Sequence, residues 1–527
     1  MTNSPVAAAR DPTGLRWGRW SWVGLNPAAG AVALILLFSL LRLACMAFVG
    51  LGTDESYTVA VARDLHLSYF DHPPIQYWIA HALEPAAGVG RAERLPFILM
   101  FAGSSWLMFR LGARLFGERA GLWSALALNL APFFTLAAGS WVLPDGPLIL
   151  ALLAAACLLA EAWFAPQGAL ARRPLLAWTL AGLCLGLAGL SKYQAALFCL
   201  GLGVFLLTTP RGRRQLATHG PYLGAVMAVA MLIPVLVWNA GHGWASFAFQ
   251  AGRGAAAHIK PLAPLVAVLG QAALLAPWIF APMALAAWRA ARGGPQDERR
   301  WFCLMLAAPP VAVFTLVPIL GGASLPHWSM PGWLLVFPLL GALLDEAQAR
   351  ARAWPRAWAI GSFVFLVGVG ALAASDAASG WAGRDLPRLF RKGDPTVESI
   401  EWTQLRDVVA HDRLAAEPGA FIAALKWNEA GKVDQAVGDL APVAALTDDR
   451  RQFRFRHPAE ALVGHDALII ARADTLKARL PILARQFRSV QLLTPVTIGR
   501  GGRGEIPIGL AEGRDLLPPP SSLDGRN

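Results

Sequence analysis

AVALILLFSLLRLACMAFVG (residues 31–50) leads, after Leu51, into GTDESYTVAVARDLHLSYFDHPPIQYW (residues 52–78). The first stretch carries one charge, Arg42, and is long enough to cross a hydrocarbon core about 30 Å thick as a helix. The second puts two adjacent carboxylates, Asp54 and Glu55, at the exit of that helix. Asp71, His72 and the rigid step Pro73-Pro74 follow. ESYTVAVARDL has apolar residues at helical spacing with polar ones opposite, so it is expected to lie as a helix on the membrane surface. QYWIAHAL is expected as a second such helix, with Pro73 or Pro74 in its first turn. Ionisable groups at a membrane edge are costly to desolvate, which makes them functional candidates by default.

Outward from this stretch the same solvent recurs. Of 527 residues, 56% are hydrophobic and 15% charged, against about 25% charged in a soluble domain, and the mean hydropathy is +0.46. Apolar stretches fall at about 30–50, 92–116, 119–139, 145–165, 175–190, 193–209, 220–239, 262–290, 301–320, 329–345 and 356–375, which reads as a polytopic α-helical membrane protein with about 11 spans. The net charge of +12 belongs to short loops rather than to a nucleic-acid face. With the N-terminus in the cytoplasm, 18 arginines lie in cytoplasmic segments and 6 Lys or Arg in the opposite loops, the bias that sets orientation. Cys45, Cys157, Cys184, Cys199 and Cys303 all sit in apolar segments, with no CxxC pair and no disulfide framework. The N-terminus lacks the pattern of a cleaved signal peptide.

From residue 376 the character changes. AFIAALKW, PVAAL and DALIIAR read as short buried strands, and ESIEWTQLRDVVAHDRLA and ADTLKARLPILARQF as helices, an alternation expected of a small α/β domain. The expected organisation is a cytoplasmic segment over 1–29, a transmembrane domain over 30–375 with its first outer loop over 51–91, an extracytoplasmic α/β domain over 376–515 and a disordered tail over 516–527. No internal repeat is visible.

The orientation gathers polar residues from five outer loops on one face: Asp54, Glu55, Asp71 and His72; Asp145 in WVLPDGPL; Lys192 in GLSKYQ; Trp238, Asn239, Gln250 and Arg253 around VLVWNAGHGW; and His327 and Trp328 in LPHWSMPGW. Each has a bland reading. Asp54, Glu55 and Asp145 suit helix N-termini, Lys192 suits a snorkelling lysine, single histidines are commonly structural, and the tryptophans fit an interfacial belt. The combination is what points to chemistry. No P-loop, dinucleotide GxGxxG turn, HExxH or GxSxG stands where it would serve, which weighs against an ATP-driven pump, a zinc protease and a serine hydrolase.

DESYTVAVARDLHLSYFDHPPIQYW, LPDGPL, LSKY, WNAGHGWASFAFQAGR and LPHWSMPGW together resemble the bacterial branch of the dolichyl-phosphate-mannose-protein mannosyltransferase-like family. These are GT-C membrane glycosyltransferases, related to aminoarabinose and lipopolysaccharide galacturonic acid transferases. LKWNEAGKVDQAVGD and GHDALII of the tail resemble the outer domain of some members. The resemblance implies an inverting transfer of a sugar from a polyprenyl-phosphate carrier to an extracytoplasmic acceptor: lipid A or lipopolysaccharide, another envelope glycan, or protein. It places the family's first-loop acid at Asp54 with Glu55 beside it, its second acid at Asp145 and its membrane lysine at Lys192. One departure stands out. Aminoarabinose transferases carry Glu-Lys-Pro where this chain has Asp71-His72-Pro73, so a permanent cation is replaced by a titratable group.

The chemistry agrees with that logic. A phosphate leaving group gains negative charge as the glycosidic bond breaks, and Lys192 and Arg253, with His72, are the candidates to hold it in a poorly hydrated groove. A carboxylate with a raised pKa suits the proton of an attacking hydroxyl. Tyr57, Asp71, Trp238, Asn239, Gln250, His327 and Trp328 are the expected substrate-binding residues. Some GT-C enzymes use a divalent metal; Asp54, Glu55 and Asp145, with His72, are the residues available for one, and no cofactor is fixed by the sequence. The competing classes are an envelope lipid or solute transporter, which would favour mid-span charges and repeated halves, and a sensor whose tail binds a partner.

Overall fold

The computed structural model describes residues 26–518 except 85–90, 166, 255–258, 323, 389, 391–392, 413–414 and 416. Most of the expected segment 1–29 and residues 519–527 of the expected tail therefore lie outside the described residues. Among the described residues six helices are long and apolar enough to span a membrane: Pro27–Phe48, Ala92–Phe116, Asp145–Phe164, Pro174–Ser191, Glu298–Leu320 and Trp354–Ser379. Five further pairs are bent by more than 40°, so the total is 6, or up to 11 if each pair is one span. Proline explains the bends. Pro132, Pro210, Pro234, Pro277 and Pro338 stand at the first or second position of the second helix in each pair. A proline there has no N–H to give the preceding turn and its ring pushes that turn away.

The sharp 76° break before Pro132 frees backbone groups inside the membrane domain, where each needs a partner. Arg42 of the first span answers it, donating to the Thr135 carbonyl at 3.1 Å and the Asn129 side chain at 2.8 Å, with its guanidinium 4.4 Å from the Phe101 ring centre.

The tail folds as an α/β domain around a six-stranded mixed sheet. Its strands are β1 Phe421–Ala424, β2 Val443–Ala445, β3 Ala467–Arg472, β4 Phe487–Leu492, β5 Val496–Arg500 and β6 Arg503–Leu516. β1 pairs in parallel with β2 and β3, while β6 runs antiparallel to β3, β4 and β5. The continuous apolar runs of β1 and β3 follow from burial on both faces. Ile422, Ala424, Leu468 and Ile470 point to one core, Phe421, Ala423, Ala467 and Ile469 to another beneath the helix Ala473–Gln486. Two boundaries differ from expectation. Among the described residues of 398–415 the α-helix is confined to Leu405–Ala410, and β6 runs through Leu516, one residue past the expected end.

The helix that follows the first span does not lie bare on a surface. The helix Thr53–Ala62 is buried at every position from Glu55 to Ala62, because the tail's helix Trp427–Val437 packs across its outward side. Tyr57, Ala60, Val61, Tyr69 and Tyr77 share one core with Ile422, Ala430, Val433 and Leu468 of the tail. The two helix backbones touch: a Cβ added at Gly431 would lie 2.7 Å from Tyr57 Cα, so only glycine fits there. Lys432 donates to the carbonyls of Leu51 (2.6 Å), Glu398 (2.9 Å) and Ile400 (3.1 Å), tying the tail to the end of the first span. Asp434, fully buried, receives Arg63 Nε at 3.0 Å and Arg456 at 2.5 Å.

Removing one partner from a buried ion pair costs roughly 3–5 kcal/mol. Asp434→Asn is therefore expected to loosen the tail on the first loop, read as faster protease cleavage in the connecting segment 386–404 and a lower melting temperature. Cleavage and melting identical to the parent would show that the apolar interface alone holds the domains.

Candidate active site

Two adjacent positions on a helix point about 100° apart, and that rotation separates Asp54 from Glu55. Glu55 turns inward. Its carboxylate receives Arg94 at 2.7 and 2.5 Å, the Gly52 N–H at 2.8 Å, closing a capping box, and the Val142 N–H at 3.0 Å. It is 2% exposed. Every lone pair it can use is taken, so its geometry is that of a structural anchor rather than a reactive acid.

Asp54 turns outward. Among the described residues its carboxylate takes no hydrogen bond and no ion pair, and its only polar contact is the Thr58 hydroxyl donating to its backbone carbonyl at 2.9 Å. It is open to solvent, yet protein crowds the carboxylate. That desolvation is the largest influence and raises its pKa above the ordinary 3.8; Arg451 opposes it, and Asp71, Glu55 and Glu398 add to it.

Asp145 opens the helix Asp145–Phe164 and Lys192 closes the helix Pro174–Ser191. Lys192 Nζ sits 3.0 Å from both Asp145 oxygens, with both side chains buried. Asp145 is thereby committed to holding a lysine. His72 and His327 lie within electrostatic reach of this pair, and Arg253 within reach of both histidines. Burial lowers the His72 pKa to about 4 against the pull of Asp71, so His72 is neutral near pH 7 and supplies no cation where the resemblance reserves one.

Asp71 is the hub of the loop. Its Oδ1 accepts from Tyr57 at 3.2 Å and Tyr77 at 3.0 Å, its Oδ2 lies 3.4 Å from Arg451, and its carbonyl accepts from Gln250 at 2.6 Å. Burial, and then the nearby Asp71, raise the Tyr57 pKa well above 10 and keep its hydroxyl a donor. Arg253 lies over the rings of Phe249 (4.7 Å) and Trp328 (5.2 Å). His327 stacks on Phe133 at 6.4 Å.

Two expected substrate residues are turned to other work. Asn239 is fully buried, donating to the Val235 carbonyl at 3.0 Å and accepting from the Ser246 N–H at 3.2 Å. Trp238 stacks on His242 at 4.2 Å under Phe455 of the tail. Among the described residues no group of three His, Cys, Asp or Glu side chains is placed to hold a metal ion. Asp54, Glu55 and Asp145 do not converge as a donor set, because Arg94 and Lys192 occupy the latter two. Sequence reasoning missed Arg94, which it counted as a loop cation, and Arg451 and Trp427, which lie in the tail far from any membrane motif.

Residues 71–238 match the family described as dolichyl-phosphate-mannose-protein mannosyltransferase. A lipid A galacturonosyltransferase, RgtD of Rhizobium johnstonii, is 25% identical over 308 residues, covering 55% of this chain and 60% of that protein. The match thus spans about three-fifths of that relative's length. ArnT from Cupriavidus metallidurans in the apo state superposes with a TM-score of 0.62 at 17% identity, over 92% of this chain and 98% of ArnT. ArnT bound to undecaprenyl phosphate gives 0.62 at 19% identity, over 93% and 100%.

The two acids make opposite predictions for the fold. Glu55→Gln strips a buried arginine of its counter-charge, a change worth roughly 3–5 kcal/mol, and should depress the melting temperature and membrane abundance. Asp54→Asn removes no contact and should melt with the parent. A reversed order in a side-by-side melt would overturn the assignment of anchor and free acid. The chain thus shares the fold of ArnT, is similar in sequence to RgtD over about half its length, and matches the mannosyltransferase family over residues 71–238.

Proposed function

We propose that the chain is an inverting membrane glycosyltransferase that moves a sugar from a polyprenyl-phosphate carrier to an acceptor outside the cytoplasm: lipid A or lipopolysaccharide, another envelope glycan, or protein. The observation that carries this reading is Asp54, an unpaired carboxylate with a raised pKa, set beside a cluster of cations at one end of the membrane domain. The undecaprenyl phosphate bound in one ArnT structure and the lipid A acceptor in the name of RgtD support the substrate classes.

In this reading Asp54 takes the proton of the acceptor hydroxyl. The freed oxygen attacks the anomeric carbon from the side opposite the bond to phosphate. That bond breaks with its electron pair passing to the phosphate, which leaves on its lipid with added charge, and the configuration inverts. Lys192, steadied by Asp145, and Arg253, resting on Phe249 and Trp328, stabilise that charge in a site where water is scarce. An acceptor that is itself a phosphate has no proton to lose, and Asp54 would then position it. The chain is a multi-pass membrane protein, and we place it in a bacterial inner membrane with this face and the tail in the periplasm, on the arginine bias of the loops.

A general base contributes about 10²- to 10⁴-fold. Asp54→Asn should therefore cut transfer from a polyprenyl-phosphate sugar, in purified protein, by at least about a hundredfold with donor binding intact. Residual activity above about a tenth of the parent would sink the assignment. The pH profile gives a second reading. A base works only when deprotonated, so the rate falls as pH drops through the Asp54 pKa, and this acid limb should lie above 3.8. His72, already neutral above its pKa of about 4, should add no break between roughly pH 5 and 8. For the topology, a reporter active only outside the cytoplasm, fused after residue 380, should be active; activity of its cytoplasmic counterpart there would reverse the placement.

A further inference from the structure

Arg451 sits in the tail domain between β2 and the short helix Phe453–Arg456, in a run, TDDRRQFRFRH, that looks like a solvated loop. It is not one. Its backbone is left-handed, with φ 46°, a conformation a non-glycine residue keeps only when its surroundings over-determine it and one concentrated at functional sites. Its side chain is 15% exposed. The guanidinium lies 3.5 Å from the Trp427 ring centre and 5.7 Å from that of Phe249.

Phe249 is also the ring under Arg253, at 4.7 Å. Two guanidiniums therefore share one aromatic ring, drawn from an outer membrane loop and from the tail. Little neutralises them. Arg253 has no hydrogen bond or ion pair among the described residues. Arg451 meets Asp71 at 3.4 Å and the exposed Asp449 at 3.7 Å, and its Nε makes no hydrogen bond. Asp71 is already shared with two tyrosine hydroxyls. Like charges held together with one divided carboxylate between them leave room for one more anion, and a guanidinium pair fits a phosphate's oxygens in number and geometry. Asp54 lies close enough to feel Arg451 as its leading counter-charge.

We propose that Arg451 is delivered by the tail domain to bind the donor's phosphate jointly with Arg253, so that docking of the tail completes the active site. The inference rests on the transferase reading above. It also gives the site the permanent cation that His72 does not supply.

The test uses the full-length purified chain and measures binding of undecaprenyl phosphate alongside donor KM and kcat. Loss of a charge-assisted contact to phosphate is worth about 10- to 150-fold. Arg451→Ala should weaken undecaprenyl phosphate binding by that factor and raise donor KM by more than it lowers kcat, and Arg451→Lys should recover part of it. Should Arg451→Ala fail to fold, Arg451→Gln, which keeps the stem packed on Trp427, carries the same expectation. The competing role, neutralising Asp71, is separated by the pair Arg451→Ala with Asp71→Asn: binding stays weak if Arg451 holds the phosphate, and binding restored to the parent value overturns the proposal. Inorganic phosphate competing as well as the lipid would overturn the donor assignment, since the site would then read free phosphate. A parent protein that neither binds the lipid nor transfers sugar refutes the transferase reading itself, whereas an active parent with an Arg451→Ala variant that binds normally refutes this inference alone.

Discussion

One buried carboxylate fixes the outer half of this molecule. Glu55 holds Arg94, and Arg94 in turn donates to the carbonyls of Val49 and Gly50 at 2.7 and 2.9 Å, the last groups of the first span's exit. The remaining capacity of Glu55 goes to the Gly52 N–H at the start of the loop helix and to the Val142 N–H at the far end of the bent pair 118–140. Three elements distant in sequence are thereby joined at one point. A bare carboxylate there would face the full cost of desolvation, and so would a bare arginine; together, joined by two hydrogen bonds, they hold a geometry that neither side chain tolerates alone. Because Glu55 is pinned, its neighbour has no choice of direction. Asp54 is presented to the groove by the helix phase.

The same logic ties the tail to the first loop. A helix lying on a membrane keeps its polar side in water, whereas Thr53–Ala62 is covered on that side by Trp427–Val437. The contact at Gly431 brings the two backbones together with no side chain between them, and close helix contact magnifies small shifts. The Tyr57 hydroxyl shows the coupling in one residue. It donates to Asp71 in the loop and accepts from the Gln452 N–H in the tail, next to Arg451. Tail, loop and membrane domain therefore set the position of the acids and cations together.

What the sequence revealed follows physical lines. Spans were legible because apolar length is a local property, and the bends were written in prolines that a hydropathy reading passes over. β1 and β3 were legible as unbroken apolar runs. β4, whose residues after Phe487 are mostly exposed, and β6 left no such run. The loop helix was placed rightly in sequence and wrongly in space, since periodicity tells which residues form a face and not whether water or another domain covers it. Asp54 and Glu55 are chemically near-identical in the sequence; only the phase of the helix against Arg94 distinguishes free acid from anchor. Asp145 and Lys192 were each visible as odd charges, but 47 residues apart nothing in the chain announces that one neutralises the other. Arg451 was hidden by composition, one arginine in a charged run.

The pairing of Asp145 with Lys192 has a consequence for how charge is managed at the bilayer edge. An unpaired charge buried there would face the full cost of desolvation, and each side chain supplies the other's counter-charge. Their combined field is that of a dipole, which falls off faster with distance than the field of a single charge. In the proposed transfer, a phosphate arriving in the groove would therefore meet Lys192 as a short-range contact, while the attraction that reaches further would come from Arg253 and Arg451, whose charges are only partly cancelled by Asp71. On that reading the site divides between its cations a task that one alone would have to carry. The weakly neutralised arginines on aromatic rings would draw the anion in, and the lysine, fixed in place by both oxygens of its partner, would join Arg253 in meeting the charge that develops as the bond breaks.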